Sequence, residues 1–108
     1  MNVVVSDTSP IRALEFLDLL DVLPVLFERI LVPPAVAKEL ARTGGRFRSI
    51  DVGDYDFLQA HAVNDLERVN GLMPLLDRGE AEAIVLAREV AADAILIDEA
   101  DGRQVARQ

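Results

Sequence analysis

The chain contains no cysteine and no tryptophan, and only five of its 108 residues are aromatic. The absence of cysteine excludes a disulfide framework, thiolate metal sites and a cysteine nucleophile. Long apolar runs are also missing, because charged residues interrupt each one well before it reaches the length of a membrane span. The first residues lack the basic region and small-residue cleavage site of a signal peptide, so we expect a cytoplasmic protein that does not enter a membrane. With 51% hydrophobic residues, residues 1–108 are expected to form one domain around an aliphatic core.

The formal net charge of −8 excludes a general nucleic-acid coat protein, because passive phosphate binding requires a basic surface. A divalent-metal site, however, is itself built from clustered negative side chains, and the bound ions reverse the local field. The acidity therefore leaves metal-assisted cleavage of a nucleic acid open.

Apolar runs alternate with helical patterns along the chain. Residues 3–6, 30–32 and 94–97 are apolar on both faces, which is typical of strands in a covered parallel sheet. Between them we predict two short helices from Pro10 to Phe27, with Thr8 and Ser9 as caps, and further helices at 35–42, 81–90 and from Asp101. Residues 46–70 lack a clean period, and a strand or a short helix fits 57–63. This alternation predicts an α/β, three-layer fold with a short, mostly parallel sheet flanked by helices.

Acidic residues fall at informative positions in this pattern. Asp7 directly follows the first strand and Asp98 the last, and the carboxyl ends of parallel strands are where α/β sheets bind ligands. Glu39 borders the apolar face of the helix at 35–42. Glu80 heads a helix face with Ala83, Ile84 and Ala87, which favours it over Glu82 as the inward acid. Three or four carboxylates without His or Cys suit Mg²⁺ or Mn²⁺ rather than zinc.

Structural explanations compete with this one. Asp7 is also placed to cap the following helix, and Asp77 with Glu80 fits a capping box. Asp98 also suits a turn, and Glu82, Glu99 and Asp101 suit solvated acids at helix starts. His61 has no partner in the sequence. Arg42, Arg46 and Arg48 suit a solvated loop better than an RNA contact. A group of apolar residues is a candidate for a dimer or antitoxin surface, although ordinary core suits it at least as well: Leu19, Leu20, Val22, Leu23 and Leu26.

Four segments resemble, in order, the acidic motifs of PIN domains, and they are VSDTSP at 5–10, PPAVAKEL at 33–40, LDRGEAEAI at 76–84 and LIDE at 96–99. The resemblance is strongest to the VapC-related subgroup with a GEAEA helix start, and it covers the chain except 43–73. It implies that Asp7, Glu39, Glu80 and Asp98 line the metal site, with Thr8 and Ser9 supporting them or facing the phosphate. Glu82 remains an alternative to Glu80, and Glu99 and Asp101 to Asp98.

The resemblance further implies a Mg²⁺- or Mn²⁺-dependent endoribonuclease that hydrolyses RNA with a water nucleophile. It also implies that the protein is the toxin of a toxin–antitoxin pair, that a small antitoxin protein inhibits it, and that it forms a homodimer. Similar proteins usually continue through another strand and helix, so we expect that part of the fold to be missing after Gln108. A shortened PIN-like domain that binds a partner without cutting RNA is therefore the alternative. A haloacid-dehalogenase-like phosphotransferase with Asp7 as nucleophile ranks last, because Ser9 stands where such enzymes carry a second Asp.

Overall fold

A four-stranded parallel sheet forms the centre of the molecule. The computed structural model describes residues 2–42, 45 and 47–97. Its strands are β1 (Val3–Ser6), β2 (Arg29–Val32), β3 (Leu58–Ala60) and β4 (Ala94–Leu96). They lie in the order β3-β2-β1-β4, with every neighbouring pair parallel. The strands that precede Asp7 and Asp98 in the sequence, β1 and β4, are thus direct neighbours. Two acids at the ends of these strands can meet only if the strands are neighbours.

Helices cover both faces of the sheet because each central strand is apolar at successive positions. The helices are α1 (Thr8–Phe16), α2 (Leu23–Leu26), α3 (Pro34–Leu40), α4 (Leu66–Leu72) and α5 (Arg78–Glu89), with single 3-10 turns at Leu20–Val22 and Val52–Asp54. Val4 and Ile30 face the helices α1 and α3, whereas Val5 and Leu31 face α5. Helix α4 packs on the side of α5, around Val69. The expected α/β fold with helices flanking a parallel sheet is confirmed.

The predicted elements differ from the observed ones mainly at their starts. Helix α1 begins at Thr8, so the prediction that Thr8 and Ser9 precede and cap it is wrong. Of the two options at 57–63, the strand is correct, and α4 was not predicted. The final helical segment from Asp101 lies outside the described residues. Within the part of the chain that is described, no helix combines the length and apolarity needed to cross a bilayer.

Candidate acidic site at the carboxyl edge of the sheet

Asp7 lies at the junction of β1, β4 and α1. Its backbone N–H donates to the Leu96 carbonyl at 2.9 Å, which joins the end of β1 to β4. Its side chain is only 4% exposed. Although Asp7 occupies the N-cap position of α1, its carboxylate accepts no capping hydrogen bond from that helix. Helix capping therefore does not account for a buried carboxylate at this position.

Glu39 approaches Asp7 from α3, across the first turn of α5. The Thr8 hydroxyl donates to Glu39 Oε2 at 3.1 Å and orients that carboxylate. A Cβ atom built on Gly79 would lie 3.3 Å from Asp7 Oδ1 and 3.3 Å from Glu39 Oε2. The structure therefore brings these two predicted acids to the same point. A glycine at position 79 keeps that point clear of a side chain.

Arg12 is a supporting residue that the sequence patterns did not single out. Its Nη2 atom donates to the backbone carbonyls of Glu39 at 2.6 Å and Arg42 at 3.1 Å. The Glu39 carbonyl lies at the C-terminal end of α3 and also accepts from the Arg42 N–H at 3.1 Å, and Arg42 follows the helix. Arg12 thereby holds the end of α3 against α1, which bears Thr8. The pattern that could have indicated this is a cation one turn after Thr8.

Glu80 is both a capping residue and a buried acid. The Asp77 carboxylate accepts from the Glu80 backbone N–H at 2.8 Å, and Glu80 Oε1 accepts from the Asp77 N–H at 3.3 Å, which completes the predicted capping box. Glu80 is 6% exposed. Among the described residues, its Oε2 is the one buried side-chain oxygen or nitrogen that has no hydrogen-bond partner. The capping interpretation is correct, yet it accounts for only one of the two carboxylate oxygens.

The surroundings of Glu80 disfavour its ionised form. The pKa of Glu80 is raised from 4.5 to about 7, and burial is the largest cause. The hydrogen bond from the Asp77 backbone opposes this rise, whereas the side chain of Asp77 and the negative charge of Asp7 contribute to it. Because Asp7 contributes to this pKa, Glu80 and Asp7 lie in the same electrostatic environment.

Glu82 has a different role from Glu80. Its Oε1 accepts from the Ala35 N–H, in the first turn of α3, at 2.9 Å, and its Oε2 accepts from Arg78 Nε at 2.9 Å. It is 5% exposed, so the prediction of a solvated acid is wrong. Glu82 joins the starts of α3 and α5, and both of its oxygens already have partners.

The periodicity argument against Glu82 is also wrong. It nevertheless favoured Glu80, the acid whose Oε2 has no hydrogen-bond partner among the described residues. The argument treated the face with Ala83, Ile84 and Ala87 as the inward one. Val85 and Leu86, on the face that Glu82 heads, are nevertheless fully buried, because α5 packs on the sheet with one side and on α4 with another. A helix covered on two sides has no single inward stripe from which an inward acid can be identified.

The remaining predicted site residues add less. Ser9 is partly buried and lines a separate cavity beside Leu96. Asp98, Glu99 and Asp101 lie outside the described residues. Within residues 2–42, 45 and 47–97, no three acidic, histidine or cysteine side chains form a group able to hold a metal ion by themselves.

The described acids nevertheless fit the requirements of a hard divalent cation. They supply only oxygen donors, which Mg²⁺ and Mn²⁺ prefer. Two of them meet at the open point beside Gly79, and Glu80 keeps an unpartnered buried oxygen. A cation beside Gly79 would neutralise the clustered charge of Asp7 and Glu39.

A family model described as DUF3368: PIN domain matches residues 3–108, which is nearly the whole chain. No curated protein and no solved structure matches it.

Proposed function

Because the chain belongs to the PIN-domain family, we propose that it is an endoribonuclease that hydrolyses RNA phosphodiesters with Mg²⁺ or Mn²⁺. PIN domains are usually nucleases and generally depend on divalent metal ions. The observation that most supports the finer proposal is the convergence of the Asp7 and Glu39 carboxylates beside Gly79. This convergence lies at the carboxyl edge of a parallel sheet, where α/β folds bind their ligands.

The proposed metal ligands are Asp7, Glu39 and Glu80, together with Asp98. When bound, the ion supplies an activated water, orients the phosphodiester and stabilises the leaving oxygen. The chain's own residues keep the site in shape. Thr8 fixes the direction of Glu39 Oε2, and Glu82 ties α3 to α5. Glu80 stays in place through the capping box, with Oε2 left available.

The decisive experiment compares RNA cleavage by the wild type and Asp7→Asn in Mg²⁺, in Mn²⁺ and in EDTA. We expect cleavage by the wild type with metal only, and a loss on the order of a hundredfold or more in the variant. Asp56→Asn, at an exposed turn, is the matched control and should cleave normally. Millimolar Mn²⁺ should also raise the melting temperature of the wild type but not of Asp7→Asn.

The second candidate is a PIN-like domain that binds a partner and cuts nothing. The observation that favours it is that the described acids do not by themselves form a group of three able to hold a metal ion. Metal-independent melting, with no cleavage of diverse RNAs and no effect of Asp7→Asn, would establish this alternative. Cleavage that requires both metal and Asp7 would exclude it.

We further propose that the chain is a toxin with a small antitoxin partner and that it pairs with a second copy of itself. An exposed apolar surface supports pairing. Of the apolar residues singled out in the sequence, Leu20 and Leu23 belong to the core, but Leu19, Val22 and Leu26 are exposed. Leu26→Asp should shift a concentration-dependent dimer to monomer in light scattering. A wild-type monomer at all concentrations would contradict the pairing.

A further inference from the structure

A cleft between α3 and the start of α5 opens directly beside the acidic site. Its volume is about 550 Å³, and Glu39 and Gly79 belong to its lining. Three cationic side chains, Lys38, Arg42 and Arg78, also line it, and so do the carboxylates of Asp77 and Glu82. The cleft therefore combines, in one continuous space, the point where the acids meet and a group of positive charges.

The lining is richer in positive charge than the chain as a whole, because its three cations equal in number its three acids, Glu39, Asp77 and Glu82. Acidic residues outnumber Lys and Arg by 19 to 11. Arg78 is held by Glu82, whose carboxylate contacts its Nε atom at 2.9 Å. Within the part of the chain that the structure describes, neither Lys38 nor Arg42 forms an ion pair. Both are exposed, so their charges are available to a ligand in the cleft.

Helix stability alone does not account for both cations. Lys38 is in the last turn of α3, where a positive charge complements the helix dipole. Arg42 lies beyond the last helical residue, Leu40, and the interaction of a charge with the helix dipole falls off within the last turn. Its backbone carbonyl is held by Arg12, so the chain at Arg42 is fixed beside the cleft.

We propose that this cleft binds the sugar–phosphate backbone of single-stranded RNA next to the scissile bond, with Lys38 and Arg42 contacting phosphates. This inference rests on the proposed function, because it assigns the path of that function's substrate. Phosphate contacts fix the register of a nucleic acid without reading its sequence. On an acidic protein, the cations that contact phosphates must lie along the path of the RNA backbone. This cleft opens beside the point where Asp7 and Glu39 meet.

The test measures binding separately from cleavage. A fluorescein-labelled short single-stranded RNA is titrated with protein in EDTA, and its anisotropy is followed over a series of KCl concentrations. We expect Lys38→Gln and Arg42→Gln each to weaken binding and to reduce the slope of log K against log salt by about 0.7. Arg88→Gln, at the opposite end of α5, is the control and should keep the wild-type slope. Thermal melting of each variant separates an effect on helix stability from an effect on binding.

The outcomes distinguish this inference from the nuclease proposal. Reduced salt slopes in both variants support the cleft even if the protein never cuts RNA, in which case only the nuclease proposal fails. Metal-dependent cleavage with wild-type slopes in both variants overturns the cleft and leaves the nuclease proposal standing. Undetectable RNA binding at low salt also overturns it.

Discussion

Replacing Glu80 by glutamine should change the pH dependence of stability in a direction that the structure defines. The pKa of Glu80 is raised to about 7, mainly by burial, and no described residue forms a hydrogen bond with its Oε2. Glutamine remains neutral at every pH and still offers an oxygen to the Asp77 N–H, since capping boxes accept Glu or Gln. The substitution therefore removes the charge while keeping the cap.

The sign follows from the two pKa values. Between about pH 4.5 and about pH 7 the folded protein retains a proton on Glu80 that the unfolded chain releases. The free energy of unfolding therefore falls as the pH rises through this window. Below it Glu80 is protonated in both states, and above it the loss is complete, with an upper limit of roughly 3 kcal/mol. The glutamine variant escapes that loss, so its advantage over the wild type should appear only as the pH rises.

Urea unfolding, followed by circular dichroism in EDTA, measures this difference. At about pH 5 the two proteins should differ little, and at about pH 8 the variant should be more stable by on the order of 1–3 kcal/mol. Glu28→Gln, at an exposed position, serves as the control and should show no such change with pH. An equal difference between Glu80→Gln and the wild type at both pH values would refute the burial argument.

Further predictions concern neighbouring residues. Gly79→Ala should abolish the stabilisation by Mn²⁺, because the new Cβ would contact the carboxylates of Asp7 and Glu39. Gly71→Ala, in open space on α4, should keep that stabilisation and raise the free energy of unfolding in urea by about 0.5–1 kcal/mol. Glu82→Ala should lose about 1–3 kcal/mol by leaving the Ala35 N–H without an acceptor, and Glu82→Gln should lose less. Retained Mn²⁺ stabilisation in Glu82→Gln would separate this structural role from ion binding, and its loss would contradict it. Arg12→Ala should lower the melting temperature, because the backbone carbonyls of Glu39 and Arg42 would lose the hydrogen bonds that Arg12 donates. An unchanged melting temperature would show that these hydrogen bonds do not contribute to stability.

The strands and their terminal acids could be predicted because one physical pattern defines both. Runs such as 3–5 and 30–32 are apolar at successive positions, as is typical of strands in a sheet that is covered on both faces. The parallel pairing of β1 with β4 then follows from helical crossovers, and it places the residue after β1 beside the end of β4. The sequence alone therefore predicts that Asp7 lies at the carboxyl edge of the sheet, beside the end of β4.

Other features depend on contacts between distant segments and leave no local pattern. The carboxylate of Glu82 meets the Ala35 N–H, which is 47 residues away in sequence. The sequence around Gly79 indicates only a helix start. The fold shows that the side chains of Asp7, Val36 and Glu39 lie within 3.4 Å of the point that a Cβ on Gly79 would occupy. Helix α4 carries Gly71 in its interior and exposes Leu66, so its sequence lacks a helical apolar stripe.

Glu80 is the residue at which local stability and the proposed chemistry conflict. A glutamine would cap α5 as well as a glutamate, so the capping box does not explain a charged group in this position. Burying a carboxylate oxygen without a partner costs free energy, and two nearby acids add to that cost. The rest of the fold follows the ordinary rules, with apolar strands covered by helices, and such exceptions concentrate at functional sites. A cation held by Asp7 and Glu39 beside Gly79 would lower the electrostatic cost at those two carboxylates and at Glu80, whose pKa the charge of Asp7 helps to raise. A further hydrogen-bond donor to Glu80 would relieve only that one carboxylate.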